Sequence, residues 1–214
     1  MSGIMLNVVG GTYTVSGLAI GAAYQGGYFA GQIGVSGVAT HNLVVGPVST
    51  AQTRLAWKNA NTATPGADSD IDGPQNTADI VADGNSTVYP AGHFCNNLST
   101  GGQTDWYLPA KNELEVCYFN LKPTIANNNT SSGINPNAVP ARATAYTNSP
   151  QVPTQTSATD FQSTGAEDFF AADYWTSTEF SSLRARFQTF YAGTQPNYYK
   201  VNAYYVRAIR RVAI

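Results

Sequence analysis

The stretch Asp105–Leu121, DWYLPAKNELEVCYFNL, constrains the chain most, because it holds the most readable helix. Leu114, Cys117, Tyr118 and Leu121 recur at i, i+3, i+4 and i+7, which places all four on one face. Pro109 suits a first turn, where its missing N–H costs nothing, and Pro123 stops the helix two residues past Leu121. Trp106-Tyr107-Leu108 reads as a short buried approach after the polar turn 101–104. The helix over 110–121 is therefore expected to lay its apolar stripe on a sheet.

The flanking segments supply such a sheet. GYFAGQIGV (27–35) and HNLVVGPV (41–48) read as two strands joined by a glycine-containing turn, with a third short strand at Leu55–Trp57. Short helices are expected over 76–84, ending at Gly84, and over 89–98. From Thr124 to Asp173 the chain is mostly Asn, Thr, Ser, Pro and Ala, the composition of either a functional long loop or a partly disordered one. Structure resumes at FFAADYW, and the last forty residues read as strands rich in aromatic and β-branched residues. The terminal AYYVRAIRRVAI is expected to pair with the N-terminal hairpin. These elements give an α+β fold: an antiparallel sheet, two or three helices, one long irregular loop, and paired N- and C-terminal strands. Residues 1–25 are Gly-rich and separate from this plan as an arm or anchor, leaving 26–214 as the domain.

Charged residues make up only 11% of the chain, against roughly 25% in an average soluble domain, so its surface is expected to be neutral and rich in hydroxyls and amides. The net charge of −2 is unevenly spread. Asp68, Asp70, Asp72, Asp79 and Asp83 crowd one segment, whereas after Glu179 only Arg184, Arg186, Lys200, Arg207, Arg210 and Arg211 are charged. Either these basic strands lie against acids within the molecule or they form a positive surface. Scarce Lys and the lack of a recognition motif argue against nucleic acid. The N-terminus has neither a basic start nor a long apolar run, so neither a secretory signal nor membrane insertion is expected.

Few residues are placed for chemistry. Cys95 and Cys117 lie in apolar helical settings and read as small buried hydrophobes; a disulfide between them is the other reading. His41 and His93 have no metal spacing and read as structural, and no nucleophile elbow appears. No catalytic residue is assigned. Asp68, Asp70, Asp72 and Asp79, with Gly73 after Asp72, fit the spacing of a Ca²⁺ loop. The alternative is that these aspartates cap turns and the 76–84 helix.

The runs GGQTDWYLPAKNELEVCYFNLKP, YWTSTE, FYAG with Lys200 and YVRAIRRV, together with GGYFAGQI and WKNANTATPG, resemble a family of C-type-lectin-like domains. That family is related to the formylglycine-generating enzymes and occurs in bacteriophage tail-fibre tips and some bacterial surface adhesins. The resemblance covers about residues 26–212 and implies a C-type-lectin-like fold. Relatives carry Trp where this chain has Arg186, and the Glu-Pro-Asn and Trp-Asn-Asp motifs of calcium-dependent lectins are absent. The cysteine pair used by the formylglycine-generating relatives is not matched by Cys95 and Cys117.

The resemblance implies a non-enzymatic virion protein at a phage tail or fibre tip that binds a host surface glycan or protein. It would be held by other virion subunits through residues 1–25 and assembled as a homo-oligomer, usually a trimer. A purely structural virion component and a bacterial surface adhesin are the alternatives. In lectin-like folds the late strands and their turns form the exposed end. The binding surface is accordingly expected at Phe180, Arg184, Tyr191, Gln195, Asn197, Tyr198 and Tyr199, where rigid tyrosines and amides suit saccharide or protein recognition.

Overall fold

Two sheets frame the molecule in the computed structural model, which describes residues 17–214. The arm residues before Gly17, and the anchoring role expected of them, lie outside the described residues. In chain order the strands and α-helices are β1 (Ala23–Tyr24), β2 (Gly27–Val35), β3 (Val38–Val45), α1 (Val48–Ala51), β4 (Gln52–Ala56), α2 (Gly73–Asp83), α3 (Pro90–Asn96), α4 (Lys111–Leu121), β5 (Thr147–Asn148), β6 (Gln151–Val152), β7 (Asp173–Ser181), β8 (Arg184–Thr189), β9 (Asn197–Tyr199), β10 (Ala203–Arg207) and β11 (Ile209–Ala213). One sheet runs β1-β2-β3-β11 and the other β4-β10-β7-β8-β9, with β5 and β6 forming a small separate ribbon. The fold is α+β. Pairing is antiparallel except where β10 meets β7 in parallel at Tyr205 and Tyr174.

The terminal pairing expected from the sequence forms: β11 runs antiparallel to β3, with Ile209 opposite Val45 and Ala213 opposite His41. The β2–β3 hairpin turns at Ser36-Gly37, both at positive φ (50° and 79°), so β3 begins at Val38, earlier than its apolar run suggests. The last strand is divided. Ala208 donates its N–H to Ala51 O (2.9 Å) and accepts from Gly46 N (3.0 Å), so the chain leaves one sheet and enters the other there. The Tyr107 N–H and C=O pair with those of Ile209 at 2.9 and 3.1 Å, fastening the approach to α4 onto β11.

Helix α4 packs into the first of two apolar cores. Leu114, Cys117, Tyr118 and Leu121 are fully buried, packed with Ile33, Leu43, Phe169, Tyr174 and Phe190. The second core gathers Trp57, Ile80, Tyr89, Trp106, Leu108, Trp175 and Phe187 under α2 and α3. Cys95 belongs to the second core and Cys117 to the first; both are free thiols, and burial pushes both pKa values well up.

Two acids on the remaining faces of α4 are also buried. Glu113 accepts from Ala110 N (2.8 Å), Gly73 N (3.2 Å), Tyr107 Oη (2.5 Å) and Arg211 Nε (2.6 Å). Burial raises its pKa, and Arg211 opposes that rise. Glu115 accepts from Tyr146 Oη (2.5 Å), Asn135 Nδ2 (2.5 Å) and Arg142.

The 124–173 segment is held by polar groups rather than by a periodic apolar face. Asn128 accepts from Tyr118 Oη (2.8 Å) and Lys122 Nζ (2.7 Å) and donates to Pro153 O (2.9 Å). Lys122 is buried in this nest and also donates to Ala126 O (2.5 Å); desolvation lowers its pKa to about 8. Phe161 and Phe169 then pin the end of the segment into the first core.

Candidate binding surface

Strand β9 is an edge strand, and β8 pairs with it through Arg184–Tyr199, Ala185–Tyr198 and Arg186–Asn197. Directly opposed residues share a face and neighbours alternate, so the expected site divides around this edge. On one face the Arg184 guanidinium lies over the Tyr199 ring at 4.8 Å, and its Nη1 donates to Asn197 Oδ1 at 3.4 Å. On the same face Arg186 stacks over Phe180 at 4.3 Å. The arginine that stands where the resembling family has Trp therefore keeps an aromatic partner through a cation–π contact.

Tyr198 belongs to the other face, 6.0 Å from Tyr204 and continuous with the Trp175–Phe187–Tyr204 cluster. Burial, followed by the nearby Asp173, Tyr198 and Tyr191, pushes the Tyr204 pKa up to about 12. Tyr191 and Tyr204 lie near Asp173, whose Oδ1 is buried with no hydrogen-bond partner among the described residues and whose pKa is raised by desolvation.

Of the seven residues expected at the site, Phe180, Tyr191, Tyr198 and Tyr199 are exposed, each by more than a third. Gln195 is committed to the fold: its Nε2 donates to Lys111 O at 2.8 Å and fastens the β8–β9 connection to the start of α4. Arg186, Tyr204 and Asp173 join the surface although they were not among the expected seven. The strand alternation Arg184-x-Arg186 was a signal for the first of these; the other two depend on register between strands distant in sequence. Leu183 and Val201, both exposed, extend the apolar fringe, with Lys200 N donating to Leu183 O at 3.2 Å between them.

The positive charge of the late strands is mostly consumed inside the molecule. Lys200 pairs with Glu179 (2.8 Å), Arg207 with Glu167 (2.9 Å), Arg210 with Asp105 (2.6 Å) and Arg211 with Glu113 (2.6 Å). Of the acid-rich segment only Asp72 takes part, 3.9 Å from Arg211. Arg184 and Arg186 have no carboxylate partner among the described residues.

The four aspartates of the Ca²⁺ spacing take separate partners. Asp72 caps α2, accepting from Gln75 N at 3.3 Å; Asp79 accepts from Gln75 Nε2 at 2.9 Å; Asp70 pairs with Lys111 at 2.6 Å. Asp68 makes no ion pair among the described residues, and no group of three or more His, Cys, Asp and Glu is placed to hold a metal there. His93 contacts Gly84 O at 2.6 Å, closing α3 onto the end of α2. No helix among the described residues is long and apolar enough to cross a membrane.

An α+β domain with an aromatic, arginine-bearing sheet edge is the class that this geometry defines. The Lcl C-terminal domain family matches residues 46–210, and the chain belongs to that family. The β2–β3 hairpin lies before the matched stretch, yet it supplies the strand on which β11 pairs. No curated protein matches the chain.

Proposed function

We propose that this chain is a non-enzymatic adhesion domain that binds a cell-surface receptor, and that it works at the tip of a bacteriophage tail or tail fibre. The observation that carries the reading is the β8–β9 edge: four exposed aromatic rings beside two arginines that, among the described residues, no carboxylate neutralises. Stacked rings offer contact area at low entropy cost, and guanidinium groups suit acidic glycans. Membership in the Lcl C-terminal domain family supports an adhesive role. The phage assignment, the trimeric state and the virion location rest on the resemblance of the quoted motifs to tail-fibre domains. The C-type-lectin-like assignment has the same basis, supported by the paired terminal strands and the long loop packed on α4. Cys95 and Cys117 are fully buried in separate cores, which supports a structural role for both.

The test is binding of purified protein to host cells, with competition against infection. Replacing Tyr198 and Tyr199 by Ala should weaken binding by about 1–2 kcal/mol per contact if both are hot spots, with the melting temperature nearly unchanged. Added salt should weaken the arginine contribution. Full binding by the double variant would remove this surface from consideration. Binding that no cell surface supports, with retained assembly into particles, would favour a structural virion component instead.

A further inference from the structure

We propose that the apolar run Ile4–Val9 of this chain's own N-terminal segment docks in a pit between β2, the C-terminal half of α4 and residues 139–146. The pit shares no residue with the β8–β9 edge, and its occupation does not rest on the adhesion reading. Its volume is about 420 Å³, room for a few aliphatic side chains. Phe29 and Val116, both buried, line it together with the half-buried Phe119 and the exposed Pro140, Ala141 and Val152. Apolar surface therefore runs from the core out to the rim.

The described chain begins beside this pit. Ile20 lines it, three residues after Gly17. The backbone there is fixed to a second lining residue: Gly21 N–H donates to Phe29 O at 2.8 Å, and Phe29 N–H donates to Ala22 O at 2.9 Å. Residues 1–16 are thus tethered at the pit itself. The stretch from Val9 to Ile20 can span up to about 36–40 Å, more than the width of a pit of this volume. A tether this short keeps the run at a local concentration on the order of millimolar, so even a weak contact is populated.

Chemistry selects the same segment. Ile4, Met5, Leu6, Val8 and Val9 put five apolar side chains into six residues, and none of residues 1–16 is charged. Arg142 is the one charged side chain in the lining, and it is already paired with Glu115. An acidic or basic partner would find no free charge there to answer it. An uncharged apolar run strips no ion of its water, and docking removes both the run and the exposed rim from solvent. Gly10-Gly11, directly after the run, lets the chain reverse toward Ile20. A subunit that takes up residues 1–16 has first to draw this run out of the pit, so the arm is a competed segment rather than a free anchor.

The experiment is paramagnetic broadening in the full chain carrying a nitroxide at Asn7→Cys. Cys95 and Cys117 are fully buried, so the introduced thiol takes the label. The backbone amide signals of residues 141–146, Phe119 and Asn120 should be lost and those of β8 and β9 retained, with recovery when the nitroxide is reduced. Leu6→Asp in the labelled chain should restore the lost signals by placing a charge against apolar walls. Ala143→Trp, at the exposed rim, should restore those of Phe119 and Asn120 by filling the pit; Leu6→Asp decides the matter if that variant fails to fold. Isotope-labelled chain mixed with spin-labelled chain of natural isotopes should show no loss. Retained signals at 141–146 in the spin-labelled chain would overturn the proposal, as would a loss that persists in Leu6→Asp. Loss in the mixed sample would overturn it in favour of the same segment from a second copy.

Discussion

Glu113→Ala is the substitution for which the structure gives the most definite expectation. The carboxylate is fully buried and accepts from two backbone N–H groups, the Tyr107 hydroxyl and the Arg211 guanidinium. Truncation leaves Tyr107 Oη and Gly73 N without an acceptor and strips the neutralising charge from Arg211, which is four-fifths buried. Breaking a buried pair from one side costs about 3–5 kcal/mol. For a domain of this size that corresponds to a fall in melting temperature of about 6–20 °C. Urea and thermal unfolding of Glu113→Ala, Arg211→Met and the double variant measure it. The double variant should lose less than the sum of the singles, by about 0.5–3 kcal/mol, because removing both charges leaves neither uncompensated. A cost below about 1 kcal/mol for Glu113→Ala, or strict additivity, would refute the view that α4 is fixed by this centre.

Acid should act through Asp105, whose pKa is held below the usual 3.8 by the hydrogen bond from Arg210. A folded pKa below the unfolded one means stability that is present above about pH 4 and lost as pH falls through the folded value. Asp105→Asn should therefore flatten the loss of stability between about pH 4 and 2, measured as the urea midpoint; because the carboxylate is half exposed, salt should shrink the difference. A chelator should leave the melting curve unchanged, since Asp70, Asp72 and Asp79 already have partners; a fall in melting temperature would place a stabilising cation among them.

The elements that could be read from the sequence are those whose signal is local. Leu114, Cys117, Tyr118 and Leu121 announce α4 by spacing alone, and the short apolar run 27–35, set off by glycines, announces β2. Glu113 and Glu115 were not legible as core residues, since an acid on a helix reads as solvent-facing until its partners are known. Those partners, Arg211, Arg142 and Tyr146, come from 27 to 98 residues away in the chain. The 124–173 segment has no periodic face because Asn128, Asn135 and Lys122 organise it through hydrogen bonds, which leave no repeat in the sequence. The break at Ala208 was equally hidden, because nothing in AYYVRAIRRVAI marks the residue whose backbone turns to Ala51 and Gly46.

The same long-range pairing decides what the late strands can present to a partner. Counted along the chain, six basic residues without an intervening acid look like one positive face. In the fold, Lys200, Arg207, Arg210 and Arg211 neutralise acids contributed by earlier segments and the approach to β7. They therefore tie β9–β11 to the rest of the domain. Arg184 and Arg186 remain, each lying over an aromatic ring at the sheet edge, Tyr199 and Phe180. A guanidinium stacked in this way loses little freedom when it meets an anion, because its plane is already held by the ring. Electrostatic attraction at this surface should then come from two fixed charges rather than six, and the salt dependence of binding should be correspondingly shallow.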